Sequence, residues 1–204
     1  TLFNALTKIK ADAENYPFCT IEPNFGIVKL NDPRVTRLAE IINPERVVPA
    51  TLKVVDIAGL VKGASKGEGL GNQFLSNIRE VDAIAHVVRC FEDKNVTHVE
   101  EDINPLRDIE IIETELILSD LESLEKQKQN LQKKIRGGEK DSKELLNLIE
   151  KIYPSLSDGI PIRKINSLSS DEVKAISYFH LLSSKPSLYV CNVSEEEIIT
   201  GNKF

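Results

Sequence analysis

Methionine and tryptophan are absent from the 204 residues, and aromatic side chains make up only 5% of them. A chain that begins at Thr1 without methionine and stops at Gly201-Asn202-Lys203-Phe204 reads as a segment of a longer protein. Cysteine is scarce. Cys19, Cys90 and Cys191 are odd in number and far apart, which argues against a disulfide scaffold and a Cys-x-x-Cys zinc site and fits a reduced, cytoplasmic compartment. No apolar run approaches the ~20 residues of a membrane span. No basic stretch followed by an apolar one opens the chain, so no secretory signal is visible. Basic residues are outnumbered, 26 to 32, for a net charge of −6. That balance argues against a general nucleic-acid coat but leaves room for a local basic patch.

What remains is 41% hydrophobic residues, enough for a substantial core. Four β-branched runs, 25–30, 52–57, 83–91 and 187–193, read as buried strands. Residues 1–8 read as a helix with Leu2, Phe3 and Leu6 on one face. Asp32-Pro33 is a cap followed by a proline suited to a first turn, opening a helix with Val35, Leu38 and Ile42 inward. Residues 71–78 form a further short helix candidate. Strands separated by helices predict an α/β layered sheet with parallel pairing.

Between the third and fourth runs the character changes. Ile117, Leu121, Leu124, Leu131 and Ile135 recur at spacings of four, three, seven and four, and Lys128 stands where the seven would divide. This is a heptad-like seam. Gly137-Gly138 breaks it, and Leu145, Ile149 and Ile152 resume it on a returning helix. The pattern predicts an antiparallel helical hairpin, or coiled coil, inserted into the α/β domain with its tip at Gly137. A third helix over 171–182 leads back to the last strand. The expected organisation is therefore 1–104 plus 184–204 for the α/β domain and 105–183 for the insertion.

The chemistry-bearing residues lie at strand ends. Asp56 closes a hydrophobic strand and Gly59 follows three residues on. A carboxylate there suits a hydrated Mg²⁺, and a glycine lets backbone N–H approach a terminal phosphate. DxxG alone also describes a strand-ending aspartate that caps a turn. Gly59, Gly63, Gly67, Gly69 and Gly71 make the following stretch permissive of rearrangement, as in a loop ordered by phosphate. Thr20, in Pro17-Phe18-Cys19-Thr20-Ile21-Glu22-Pro23-Asn24, has a hydroxyl able to face the same ion or simply to satisfy a turn. Asn192 ends the last strand with Glu195 three residues on, a spacing that suits a base-recognition loop and equally a solvated acidic helix start through Glu195-Glu196-Glu197.

Together these strings resemble the Obg superfamily of translation-factor GTPases, most closely its YchF-type subfamily of ribosome-binding ATPases. Three signatures carry the resemblance: 15–24 around PFCTIEPN, 56–72 reading DIAGLVKGASKGEGLGN, and 78–91 ending in HVVRCF. The NxxE string at Asn192 to Glu195, in place of NKxD, is a further subfamily mark. The resemblance implies a P-loop NTPase fold of the Ras-like kind, with Thr20 ligating Mg²⁺, Asp56 holding it through water and Gly59 meeting the γ-phosphate. Asn192, Val193 and Glu195 would form the base pocket. Glu195 is one methylene longer than the usual Asp, and Val193 replaces the usual Lys, so a guanine-only pocket is not expected and ATP is favoured over GTP. The phosphate cradle GxxxxGK[ST] is absent, Thr1 corresponding to the residue just after it, so this segment alone is expected to bind nucleotide poorly. A C-terminal TGS domain is expected beyond Phe204.

Ras-like enzymes orient water with a Gln after the DxxG glycine, and here that place is Leu60. His98, in the polar stretch 92–104, is the candidate for that task, the alternative being a solvated loop histidine; His86 and His180 read as packing or capping residues. Lys126, Lys128, Lys133, Lys134 and Arg136 crowd the hairpin tip, a solvated face or a contact for ribosomal RNA, since the resemblance implies ribosome association. The competing functions are a non-catalytic scaffold for the ribosome or proteins, and a strictly GTP-specific Obg-type GTPase.

Overall fold

Phe3 anchors the first helix of the computed structural model, which describes residues 2–8, 23–57, 70–93, 102–139 and 141–204. The chain divides into two compact units, Thr1–Gly59 and Leu60–Phe204, each described by itself. In the first, α1 (Leu2–Thr7) packs on β1 (Asn24–Lys29) and β2 (Thr51–Asp56). Phe3 is buried, whereas Leu2 and Leu6, expected beside it, are exposed. The close approach is made at Gly26, where a Cβ would come 2.2 Å from Thr7 Cγ2 and 3.2 Å from Phe3 Cζ. The Thr7 hydroxyl is turned back to donate to the Phe3 carbonyl at 2.8 Å.

α2 (Pro33–Ile42) starts as its sequence dictates: the Asp32 side chain accepts from Arg34 N–H, and proline occupies the first turn. Asn43 ends it in the left-handed region at φ 47°, its N–H donating to Ala39. Two expectations fail in this unit. β1 and β2 pair antiparallel, Asn24 opposite Asp56 and Lys29 opposite Thr51. The extended segment after α2 returns the chain to the end from which it left, and Leu30 N–H bonds Ala50 carbonyl at 2.9 Å, so the connection acts as a long hairpin instead of a crossover. Val35, Leu38 and Ile42 are also not inward; Ile42 is 67% exposed. The described residues leave that face of α2 largely uncovered, so its helical periodicity finds no core to enter among them.

The second unit begins with α3 (Leu70–Glu80), which buries Leu75 and Ile78, and β3 (Ile84–Arg89), which buries Val88. β3 pairs in parallel with β4 (Ser187–Asn192), Ile84 opposite Ser187 and Arg89 opposite Asn192. The parallel expectation holds here. Most strand side chains nonetheless remain exposed or half-buried, because each sheet has two strands among the described residues and one pair cannot shield both faces.

α4 (Pro105–Arg136) opens with Asn104 accepting from Arg107 N–H and proline in the first turn, then runs 32 residues without glycine. Gly137 and Gly138, the latter at φ 93°, turn the chain and α5 (Asp141–Ser157) packs back against α4. Their core joins Ile117, Leu124 and Leu131 of α4 to Leu148, Ile149, Ile152 and Leu156 of α5, with Leu121 and Leu145 at its margin. Ile117, Leu121, Leu124, Leu131, Leu145, Ile149 and Ile152 are seam positions read from the sequence; Leu148 and Leu156 join them, while Ile135, expected in the seam, is only half-buried. Lys128 is half-buried at its seam position, as a long aliphatic stem allows.

The predicted helix over 171–182 is shorter. α6 (Ser170–Ile176) has a capping box between Ser169 and Glu172, then gives way to 3-10 turns at Ser177–Phe179 and Leu182–Ser184. His180 between them takes φ 51°, a conformation no α-helix continues through. The reward is core: Phe179, Leu181 and Leu182 are almost wholly buried. α7 (Glu197–Thr200) closes the list of helices among the described residues.

Gly26→Val is expected to destabilise the first unit by about 1–3 kcal/mol through overpacking against Thr7 and Phe3. A urea midpoint equal to wild type would show that α1 yields without cost.

Candidate nucleotide site

Asp56 is the last residue of β2, half-buried, facing Asn24 across the antiparallel pair. The sequence placed a carboxylate at a strand end, and the structure keeps it there. Thr20, Gly59 and His98 lie outside the described residues, as does Cys19. Among the described residues no group of three or more His, Cys, Asp or Glu gathers to hold a metal unaided. A Mg²⁺ that takes one carboxylate, one hydroxyl and phosphate oxygens requires no such group, and a hard carboxylate such as Asp56 suits it.

The other strand end is built in the second unit. Asn192 ends β4, and its carbonyl accepts from Cys90 N–H at 2.8 Å, extending the parallel ladder one residue beyond β3. Val193 is half-buried and Glu195 exposed. The acidic run does open a short helix, yet its members differ. Glu197 accepts from the Ser194 hydroxyl at 2.6 Å; Ser194 and Asn202 hold its carboxyl below the ordinary glutamate range. Glu195 projects before that helix, exposed and distinct from the stapled Glu197.

Sequence reasoning missed Asn202. Its side-chain amide donates to the Cys90 carbonyl at 2.6 Å and its carbonyl oxygen accepts from Phe204 N–H at 3.0 Å. Lys203 meets Glu92 at 2.5 Å. These bonds tie the last residues back to the end of β3, framing the 192–195 turn. Of the cysteines, Cys90 is buried, which raises its thiol pKa, and Cys191 is exposed; neither forms a disulfide.

β4 is also held from α4. The Asp120 carboxylate is fully buried and accepts from Leu182 N–H and Ser183 N–H, both at 2.7 Å. Burial raises its pKa above the ordinary aspartate range, against the pull of those N–H groups and of Arg79. Lys185 Nζ donates to the Arg79 and Val81 carbonyls at 3.1 and 2.5 Å, fastening the head of β4 to the end of α3. Farther along, Glu113 accepts from the Tyr189 hydroxyl and Arg163 guanidinium, with Lys164 at 3.6 Å. Burial pushes Glu113 up, but Tyr189, Arg163 and Lys164 outweigh it, so its carboxyl sits below the ordinary range. His86 stacks obliquely on Tyr189, 6.0 Å between ring centroids, and burial lowers its pKa. It is a packing residue, as its place inside a strand suggested. His180 serves as the left-handed cap.

The family model described as 50S ribosome-binding GTPase matches residues 1–151. The chain is 58% identical over 196 residues to the ribosome-binding ATPase YchF of Pasteurella multocida, covering 96% of this chain and 54% of that protein. It is 48% identical to the protein of that name in Bacillus subtilis over 205 residues, all of this chain and 56% of the relative. It belongs to the 50S ribosome-binding GTPase family, in its YchF branch. The Schizosaccharomyces pombe YchF GTPase structure superposes with a TM-score of 0.73 at 44% identity, over 97% of this chain and 54% of that one. The P-loop GTPase fold class anticipated from the signatures is thus the fold of the family. The chain spans about half the length of the relatives it matches.

A depressed carboxyl contributes stability that is present above the unfolded glutamate pKa, about 4.3, and lost as pH falls through its lower folded pKa. The stability difference between wild type and Glu113→Gln is therefore expected to be full near pH 6 and to shrink towards pH 3, followed by thermal melting. A difference that grows on acidification would contradict the depressed carboxyl.

Proposed function

We propose that the intact protein is a Mg²⁺-dependent nucleoside triphosphatase switch that prefers ATP, hydrolyses it to ADP and phosphate, and associates with the ribosome in the cytoplasm. The observation that carries the reading is the end of β4, where Asn192 is pinned to β3 and Glu195 stands exposed three residues on, in a chain whose relatives bear the name ribosome-binding ATPase. Asn192 braces the loop, and Val193 and Glu195 line the base pocket. Asp56 and Thr20 would hold Mg²⁺, which supplies neutralising charge to the polyphosphate when bound. Gly59 offers backbone N–H to the terminal phosphate, and His98 orients water in place of the residue that Leu60 lacks. Helices α4 and α5 form the inserted coiled coil of a domain spanning 105–183, and 1–104 with 184–204 belong to the G domain.

Val193 matters by what it withholds. A lysine there would add its stem and charge beside the base, and an aspartate at 195 would match guanine's N1–H and amino group. Calorimetry of the intact protein with each triphosphate and Mg²⁺ is expected to give tighter ATP binding, and Val193→Lys/Glu195→Asp to shift the ratio at least about tenfold towards GTP, the ~1.4 kcal/mol of one improved polar contact. Far tighter GTP binding by the wild type would reject the ATP reading in favour of a strictly GTP-specific GTPase. Absence of turnover with binding intact would favour the scaffold.

The tip supports the ribosome contact. Lys133, Lys134 and Arg136 are clustered at the last turn of α4 and are all exposed, with only Glu139 near Lys134 at 4.0 Å as an opposing charge among the described residues. Reversing all three to glutamate is expected to weaken pelleting with ribosomes at least tenfold at low salt, and less at high salt, as phosphate contacts require. Undiminished pelleting would place the contact elsewhere.

A further inference from the structure

We propose that the Glu113–Tyr189 hydrogen bond couples the α4–α5 pair to the end of β4, so that nucleotide at Asn192–Glu195 and a ribosome on the helices alter each other's affinity. This rests on the function proposed above and names how its two halves communicate.

Three elements meet at one carboxylate. Glu113 lies on α4, Arg163 and Lys164 on the 3-10 turn Ile162–Lys164 that follows α5, and Tyr189 on β4. The Glu113 and Arg163 side chains are each only 16% exposed, so their attraction is poorly screened. Tyr189 stands three residues before Asn192, about 10 Å along the strand. The head of β4 is held to α4 by the buried Asp120 bonds and to the end of α3 by Lys185, so strain between helix and strand falls on the more exposed Tyr189 hydroxyl bond to Glu113 farther along.

The structure holds the bonded arrangement, and the partners of Glu113 allow a second one. With the Tyr189 hydroxyl bonded, Glu113 serves both the strand and the turn. With it released, Glu113 keeps Arg163 and Lys164 as partners, no buried charge is orphaned, and Tyr189, 39% exposed, can turn its hydroxyl to water. A link that breaks without stranding a charge is one that binding events at either end can bias. Asp120 offers no such alternative: releasing Leu182 and Ser183 would leave a buried carboxylate and two buried N–H groups without those bonds. Glu113 and Tyr189 are accordingly positioning residues, outside the pocket itself.

Linkage makes the effect reciprocal. The experiment measures the affinity of the intact protein for purified ribosomes with and without a non-hydrolysable ATP analogue and Mg²⁺, in wild type, Tyr189→Phe and Glu113→Gln. Tyr189→Phe keeps the ring against His86 and removes only the hydroxyl. The analogue is expected to change wild-type ribosome affinity by about fivefold or more, and Tyr189→Phe to cut that ratio below about twofold while its analogue affinity without ribosomes stays within about twofold of wild type. Glu113→Gln serves as the second variant and is expected to lower the ratio likewise. A purely structural role would lower the melting temperature and leave the ratio unchanged; that result, or a wild-type ratio of one, overturns the coupling while leaving the proposed function standing. Wild-type protein that binds neither the analogue nor ribosomes overturns both.

Discussion

A single carboxylate decides where the last strand begins. Asp120 sits at the middle of α4 with no exposed surface, and its two oxygens take the N–H groups of Leu182 and Ser183 at 2.7 Å. Burying such a group is costly unless it is bonded, and the chain meets that cost by breaking its third helix into 3-10 turns that aim two consecutive N–H groups at it. Phe179 and Leu181 then enter the core of α4 and α5, and Leu182 is fully buried. The direction in which β4 leaves that core follows, and with it the position of Asn192 and Glu195.

Along β4 the fastening weakens in stages. Its head is held by buried bonds to Asp120 and by Lys185 on two carbonyls of the α3 end. Its middle is joined to α4 by the Tyr189 hydroxyl, and its end to β3 by the backbone. The 192–195 turn gains its shape from Ser194 on Glu197, which leaves Glu195, one residue on from that serine, facing solvent.

Legibility from the sequence followed the range of the forces involved. Asp32-Pro33 acts within one turn, so that helix start fell where it was read. The α4–α5 seam is periodic, so most of its members were identified, Lys128 included, although Leu148 and Leu156 were missed and Ile135 stays outside the core. The β1–β2 pairing was misread because the helix between the strands was taken as a crossover, while the extended return after Asn43 carries the chain back. On α2 the apolar positions were recognised but their burial was not, since periodicity marks a face and says nothing of what covers it. Asp56, Asn192 and Glu195 were found as strand-end residues. Asn202, Glu113 and Asp120 were not, because their partners lie 112, 76 and 62 residues away.

Sequence by itself determined most element types, the hairpin turn at Gly137, the strand-end places of Asp56 and Asn192 and the family, because these rest on local propensity, periodicity and motif strings read within a few residues. Only the tertiary structure decided the antiparallel partner of β1, the shortening of the third helix and the polar junctions that orient β4. Each of those depends on a buried charge or a close backbone approach finding its counterpart across the fold, and such an encounter has no signature in the order of residues on either side.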